Sequence, residues 1–270
     1  MNSKEAMKNI PFFNYPALFE QRKDEYLNIV QDVLSRGAYI MQQDLINFEN
    51  DLAKYLGVKH AIGVADGTMA LLISLMAAGI GEGDEVIVPS HTFVASAAAI
   101  HHSGAKPVLA DCQEDHLIDP NSISKLITSK TKAIMPVQLN GRVADMDAIN
   151  KIATDHNLII IEDSCQALGA RYKGQFAGTF GLTGTFSFFP AKTLGCFGDG
   201  GAVVTNNDKV AEKIKMIRDH GRDPSDGKVK MFGFNSRLDN LQAAILGLKL
   251  KYYDEDVGRR RQIAALYHTH

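Results

Sequence analysis

Cysteine is scarce in this chain: Cys112, Cys165 and Cys196 are the whole supply in 270 residues. An odd number at those spacings suits neither a disulfide framework nor a zinc site, and a reducing cytoplasm is the expected compartment. A surplus of charge of one sign is missing too. There are 29 Lys and Arg against 31 Asp and Glu, a formal net charge of −2, which gives no reason to expect nucleic acid or an anionic membrane as partner. A local basic pocket for an anionic ligand is still compatible with that balance. No apolar run approaches membrane-spanning length, and the N-terminus does not open on a charged-then-apolar signal segment. His101-His102, His268 and His270 could suggest a metal, yet no carboxylate-and-histidine cluster at ligand spacing accompanies them, so none is expected. Internal repeats and low-complexity linkers are absent as well.

What is present is ordinary soluble composition, 45% hydrophobic and 22% charged, in a chain long enough to bury a large core. Leu18, Tyr26, Leu27, Val30 and Leu34 form a helical stripe within 17–35, closed by Gly37. A second helix runs from about Asp44 to a stop at Gly57. A regular alternation follows, with strands expected over 61–65, 85–88, 107–110, 133–137 and 158–161, the first four each followed by a helix. Several of these strands are apolar throughout, which indicates a mostly parallel sheet covered by helices on both faces. Further on, a strand at 202–205, a helix at 208–218 and a long helix capped by Ser236 complete the pattern.

In such a sheet, ligands sit beyond the carboxyl ends of the strands, so working residues should follow strands directly. Five stretches qualify: Asp66-Gly67-Thr68, Ser90 to Phe93, Gln138 to Arg142, Glu162-Asp163, and Phe186 to Gly201. In the last, Pro190 ends a short aromatic strand and Lys192 follows at once. An amine at the mouth of a buried strand is a usable nucleophile toward a carbonyl, because desolvation lowers its pKa. Gly67-Thr68-Met69 opens a helix directly after a strand; its free amides and a hydroxyl suit a phosphate, and equally suit a plain helix cap. The pattern is neither a P-loop nor a three-glycine dinucleotide fingerprint, so a lone phosphate is the anion expected. Asp163 sits at the mouth of an apolar strand, where a carboxylate needs a cation or donors; a capping role would meet that need, and so would a protonated pyridine nitrogen. Lys192, Asp163, an anion pocket from Thr68 with Ser187, and an aromatic face from Phe93 (otherwise plain core) are together the four requirements of a pyridoxal phosphate site.

From about Phe48 to Tyr267 the chain resembles the DegT/DnrJ/StrS family of sugar aminotransferases, pyridoxal-phosphate enzymes of the aspartate aminotransferase fold. The resemblance is carried, in order, by Asp66-Gly67-Thr68-Met69-Ala70-Leu71, Gly83 to Pro89, Thr92-Phe93-Val94-Ala95, Glu162-Asp163-Ser164-Cys165-Gln166-Ala167, Ser187 through Lys192, Gly198-Asp199-Gly200-Gly201 and Gly233 to Leu238. It implies an α/β fold of type I: three layers, α/β/α, around a mostly parallel central sheet. On that reading 1–47 is an N-terminal helical segment, 48–250 the large cofactor domain, and 251–270 the start of a C-terminal small domain that is largely missing, as in a truncated chain. Lys192 would form the Schiff base and carry the proton between substrate and cofactor carbons. Asp163 would pair with the pyridine nitrogen and Gln166 would sit by the phenolic oxygen. Gly67, Thr68, the Met69 amide and Ser187 would hold the phosphate, with Phe93 stacked on the ring. Asn235 would reach the phosphate in a neighbouring subunit, making the enzyme a homodimer with shared sites.

The implied reaction is transfer of an amino group from an amino acid, glutamate foremost, to a keto nucleotide-sugar, for a surface polysaccharide or a secondary metabolite. Lys192 argues against the dehydratase branch of the family, which has histidine there; cyclitol or aminobenzoate-type synthases and a non-catalytic regulatory relative are the other readings. There are departures. Asp66 stands where serine is common and is expected to point away from the phosphate. Gln138-Leu139-Asn140-Gly141 replaces His-Leu-Tyr-Gly, Leu168 a histidine and Gln42 a glycine; Gln138, Asn140 and Gln42 are plausible substrate contacts.

Overall fold

The computed structural model describes residues 10–269. Three helices open it: α1 (Tyr15–Glu20), α2 (Lys23–Ser35) and α3 (Gln43–Leu56). The single helix expected over 17–35 is thus broken at Gln21-Arg22, ahead of Gly37 in the left-handed region. The α/β alternation then runs β1 (His60–Val64), α4 (Gly67–Ala77), β2 (Glu85–Pro89), α5 (Val94–His102), β3 (Lys106–Ala110), α6 (Pro120–Leu126), β4 (Thr131–Ile134), α7 (Met146–Asp155) and β5 (Ile159–Asp163). A two-stranded hairpin, β6 (Arg171–Tyr172) and β7 (Gln175–Phe176), precedes β8 (Thr183–Ser187) and β9 (Gly201–Thr205). Helices α8 (Asp208–Arg218), α9 (Asn240–Lys251) and α10 (Tyr253–Thr269) follow.

The seven-stranded sheet has the order β1-β9-β8-β5-β4-β2-β3. β3, β2, β4, β5 and β8 pair in parallel; β9 pairs antiparallel to both β8 and β1, so β1 runs with the majority. Every residue of β2 and of β9 is buried, as apolar strands covered on both faces require. Four apolar groups fill the layers, one of them, with Ile62, Val203 and Ile214, between β1, β9 and α8. Ile87, Ile134 and Ile149 lie under α6 and α7, Leu71, Val86 and Ile100 under α4 and α5, and Phe48, Phe188 and Leu246 pack between α3, α9 and β8. Among the described residues no helix is long and apolar enough to cross a membrane.

Two buried polar clusters fix the register of these layers. Asn240, fully buried, accepts from the Leu45 amide at 2.9 Å and donates to the Ala38 carbonyl and Asp44 carboxylate at 2.7 Å, tying α9 to α3. Asp239 occupies the N-cap position of α9, not the expected Ser236; Ser236 is buried against β1, where its hydroxyl accepts the Ala65 amide at 3.4 Å. Glu162 is the second anchor. Its carboxylate accepts from Gln138 Nε2 (3.0 Å) and from the amides of Gly178, Phe180 and Gly181 (2.6–3.0 Å). Burial pushes its pKa up, and the donors around it oppose that rise.

The turn held by Glu162 lies directly on β8, so close that a Cβ on Gly184 would overlap the carbonyl oxygen of Gly178. Backbone cannot move aside as a flexible side chain can. Gly184→Ala is therefore expected to cost about 3 kcal/mol or more, read as a lowered urea midpoint; an unchanged midpoint would mean that the turn is not seated there.

Candidate active site

Because β1, β8, β5, β4 and β2 run the same way, their carboxyl ends meet on one edge of the sheet. β9 begins at that same edge, with Gly201 paired to both Val64 and Ser187. The chain from Phe188 to Gly200 thus leaves the edge and returns to it, carrying Lys192 over the strand ends. Along this edge lies a cleft of about 1300 Å³.

Eight of the nine residues singled out in the sequence line it. Gly67, Thr68 and Met69 come from the start of α4, Phe93 from the residue before α5, Asp163 from the last position of β5, Gln166 from the turn beyond it, Ser187 from the end of β8, and Lys192 from the return loop. Asn235 does not line the cleft: it is exposed, on the segment bridged to Asp219.

Alternation along β5 separates the two acidic neighbours. Asp163 faces the cleft, whereas Glu162 points to the opposite face and belongs to the fold. Asp163 is only 6% exposed; its Oδ2 accepts from Ser96 Oγ at 2.7 Å and its Oδ1 from the Cys165 amide at 3.2 Å. Among the described residues it has no basic partner. Cys165 beside it is a neutral thiol: burial of its sulfur, then the Asp163 charge, push its pKa well above the usual thiol range. Lys192 is half-buried, and its ammonium makes no hydrogen bond or ion pair to any described residue. Its loop is held from outside. Lys249 on α9 donates to the Gly195 carbonyl, and the Tyr253 hydroxyl donates to the Leu168 carbonyl at 2.8 Å and lies 2.7 Å from Thr193 Oγ1.

Asp66 behaves differently from expectation. It lines the cleft, but its carboxylate turns onto its own helix and caps α4 by accepting the Met69 amide at 2.9 Å. The Met69 amide is thereby engaged, and the first-turn amides with no intrahelical acceptor are those of Gly67 and Thr68. Gly67 must be glycine, since a Cβ there would meet Ser187 Cβ at 2.8 Å and Cys165 Sγ at 3.0 Å. This close approach brings the helix start against the Ser187 side chain.

Two of the three plausible substrate contacts are not in the cleft. Gln138 is fully buried between Glu162 and the Ala144 amide, and Gln42 sits at the N-cap position of α3, its side-chain amide turned back to donate to the Ile40 carbonyl. Asn140 does line it, in the left-handed region, and its backbone N–H donates to Gln166 Oε1 at 3.0 Å. Sequence reasoning missed Ser96, Tyr253 and Lys249. Ser96 had a signal only in its spacing, four residues after Thr92, which the structure places ahead of α5; Tyr253 and Lys249 had none.

The DegT/DnrJ/EryC1/StrS aminotransferase family model matches residues 20–270. The chain belongs to this family. Among its relatives are the dTDP-3-amino-3,4,6-trideoxy-alpha-D-glucose transaminase of Streptomyces venezuelae, 44% identical over 99% of this chain and 70% of the relative, and a pleiotropic regulatory protein of Geobacillus stearothermophilus, 44% identical over 96% of this chain and 70% of that one. The crystal structure of S. venezuelae DesV in complex with a ketimine intermediate superposes with a TM-score of 0.93 at 44% identity, over 96% of this chain and 70% of that one. This DegT/DnrJ/EryC1/StrS member is an aminotransferase, and aminotransferases of the family depend on pyridoxal phosphate. The three-layer fold expected from the sequence is the fold observed.

Proposed function

We propose that this aminotransferase moves an amino group from an amino acid, glutamate foremost, to a keto nucleotide-sugar in the cytoplasm, for a surface polysaccharide or a secondary metabolite. The observation that carries the reading is the convergence of Lys192, Asp163, Ser187 and Gly67-Thr68 on one cleft. The residues fit pyridoxal phosphate. A carboxylate buried without a cation is costly, and a protonated ring nitrogen would supply the missing charge. The amides of Gly67 and Thr68, with the Thr68 and Ser187 hydroxyls, form a donor set suited to the phosphate; Met69 would add its amide only by displacing Asp66. Phe93, 66% exposed, offers a ring that a stacked ligand would cover. With its Oε1 already accepting from Asn140, Gln166 has its amide protons left to donate, as a phenolate oxygen requires.

When bound, pyridoxal phosphate supplies the electron sink for a carbanion at the substrate carbon. Everything else falls to the chain. Lys192 Nζ is the amine that would bond the cofactor's aldehyde carbon and, once released, the base that moves the proton between the two reacting carbons. Asp163 would hold the ring nitrogen protonated, and Phe93 and Ser187 would fix the ring's plane and depth. Asn235, exposed and outside the cleft, would reach the phosphate in a neighbouring subunit, making a homodimer with shared sites.

The test is direct. Purified protein incubated with pyridoxal 5′-phosphate and then borohydride should carry the reduced adduct on the peptide containing Lys192. No adduct, or an adduct confined to another lysine, would overturn the assignment. The similarity to a pleiotropic regulatory protein supports a second reading, a regulatory relative that keeps the fold. Turnover of a keto nucleotide-sugar with glutamate separates the two.

A further inference from the structure

We propose that Ser96, with Thr92 behind it, is the positioning pair that aims Asp163 at the cofactor's ring nitrogen; the proposal rests on the assignment of Asp163 to that nitrogen. Ser96 is fully buried, in the first turn of α5, and its Oγ lies 2.7 Å from Asp163 Oδ2. A serine hydroxyl has one proton, and an ionised carboxylate can only accept, so Ser96 donates to Asp163. The competing acceptor, the Phe93 carbonyl, is farther away at 3.3 Å and uncharged. Ser96 Oγ is then an acceptor for Thr92, whose Oγ1 is 2.8 Å away. The proton order is therefore Thr92 to Ser96 to Asp163, a chain of hydroxyls in which each bond polarises the next.

The arrangement limits how Asp163 can turn. Its other oxygen is held by the Cys165 amide at 3.2 Å, so each oxygen of the carboxylate has its own donor. Each oxygen keeps a free lone pair for a ligand. Phe93, the N-cap residue of α5, lies three residues before Ser96. One structural unit thus sets the aromatic wall and the carboxylate in register, which is what a flat ring gripped by face and by edge needs. A hydroxyl buried for packing alone would have no reason to spend its single proton on a carboxylate facing a cleft.

The experiment uses the full chain as apoprotein, titrated with pyridoxal 5′-phosphate and followed by the visible absorbance of the bound form. Ser96→Ala is expected to weaken binding on the order of 10-fold, as loss of a hydrogen bond to a charged group does, and to shift the visible band. Thr92→Val, isosteric but without the hydroxyl, should weaken it by about 3-fold, whereas Thr92→Ser should restore the parent affinity and band. If Ser96→Ala does not fold, the Thr92 pair decides alone: Val and Ser variants that bind alike would overturn the proposal, as would a Ser96→Ala protein with the parent's affinity and spectrum. Asp163→Ala in the same titration separates the two levels. If it too leaves affinity and band unchanged, the assignment of Asp163 has failed; if it changes them while Ser96→Ala and Thr92→Val do not, only the positioning role has failed.

Discussion

Lys192→Ala should fold like the parent and lose turnover by about 10⁴-fold or more. The size of the loss follows from the two tasks proposed for one amine, covalent attachment and proton transfer; the second alone is worth up to about 10⁴-fold. That the protein should still fold follows from the structure. The ammonium bonds to no described residue, while the loop is held by the Lys249 and Tyr253 contacts and by the Cys196 amide on the Phe188 carbonyl at 2.8 Å. Stability should therefore stay within about 0.5 kcal/mol of the parent, as for other substitutions that break no packing or buried bond. The measurement is single-turnover transamination alongside urea unfolding. A variant within tenfold of the parent's rate would remove Lys192 from the chemistry, and a variant that unfolds would place it in the fold.

Asp163→Ala should lower turnover by roughly 10²–10³-fold, the scale seen when a preorganised electrostatic partner is removed from an active site. Its effect on the apoprotein should be small, because two changes oppose each other. The Ser96 hydroxyl and the Cys165 amide lose an acceptor, a loss of about 1–3 kcal/mol if unreplaced. Against that, a buried carboxylate with no basic partner among the described residues disappears, which relieves a desolvation penalty. The diagnostic quantity is the rise in melting temperature on adding pyridoxal phosphate, which reports binding to the native state alone. The parent should show a clear rise and Asp163→Ala a much smaller one, with similar melting temperatures for the two apoproteins. Equal rises would reject the pairing with the ring nitrogen.

These two residues were legible in the sequence for a physical reason. A parallel sheet needs apolar strands, and such strands end where polar residues resume, so Asp163 after Leu158 to Ile161 and Lys192 after Pro190 are marked by the contrast alone. The topology rule then places both on one edge, and the observed strand order does so. Less was legible where the contrast carries no direction. Glu162 and Asp163 are adjacent acids, and only the pleat of β5 decides that one anchors a turn while the other faces the cleft. Gln138 looks like a strand-end contact until its partners, Glu162 and the Ala144 amide, are seen to be buried. Ser236 resembles a helix cap by type, yet α9 starts four residues later because Leu238 is held in the core ahead of it.

By itself, then, the amino-acid sequence determined the layered α/β architecture and the set of strand-end residues, since hydrophobic period and turn chemistry are local properties of the chain. Only the tertiary structure decided how those residues work together. Asp66 closes on Met69, leaving Gly67 and Thr68 as the first-turn donors. Ser96 reaches across from another helix to orient Asp163, 67 residues away in the chain, and Tyr253 braces the lysine loop from α10. Such contacts join segments far apart in sequence, and they depend on where the sheet and its helices put side chains in space, which no local pattern encodes.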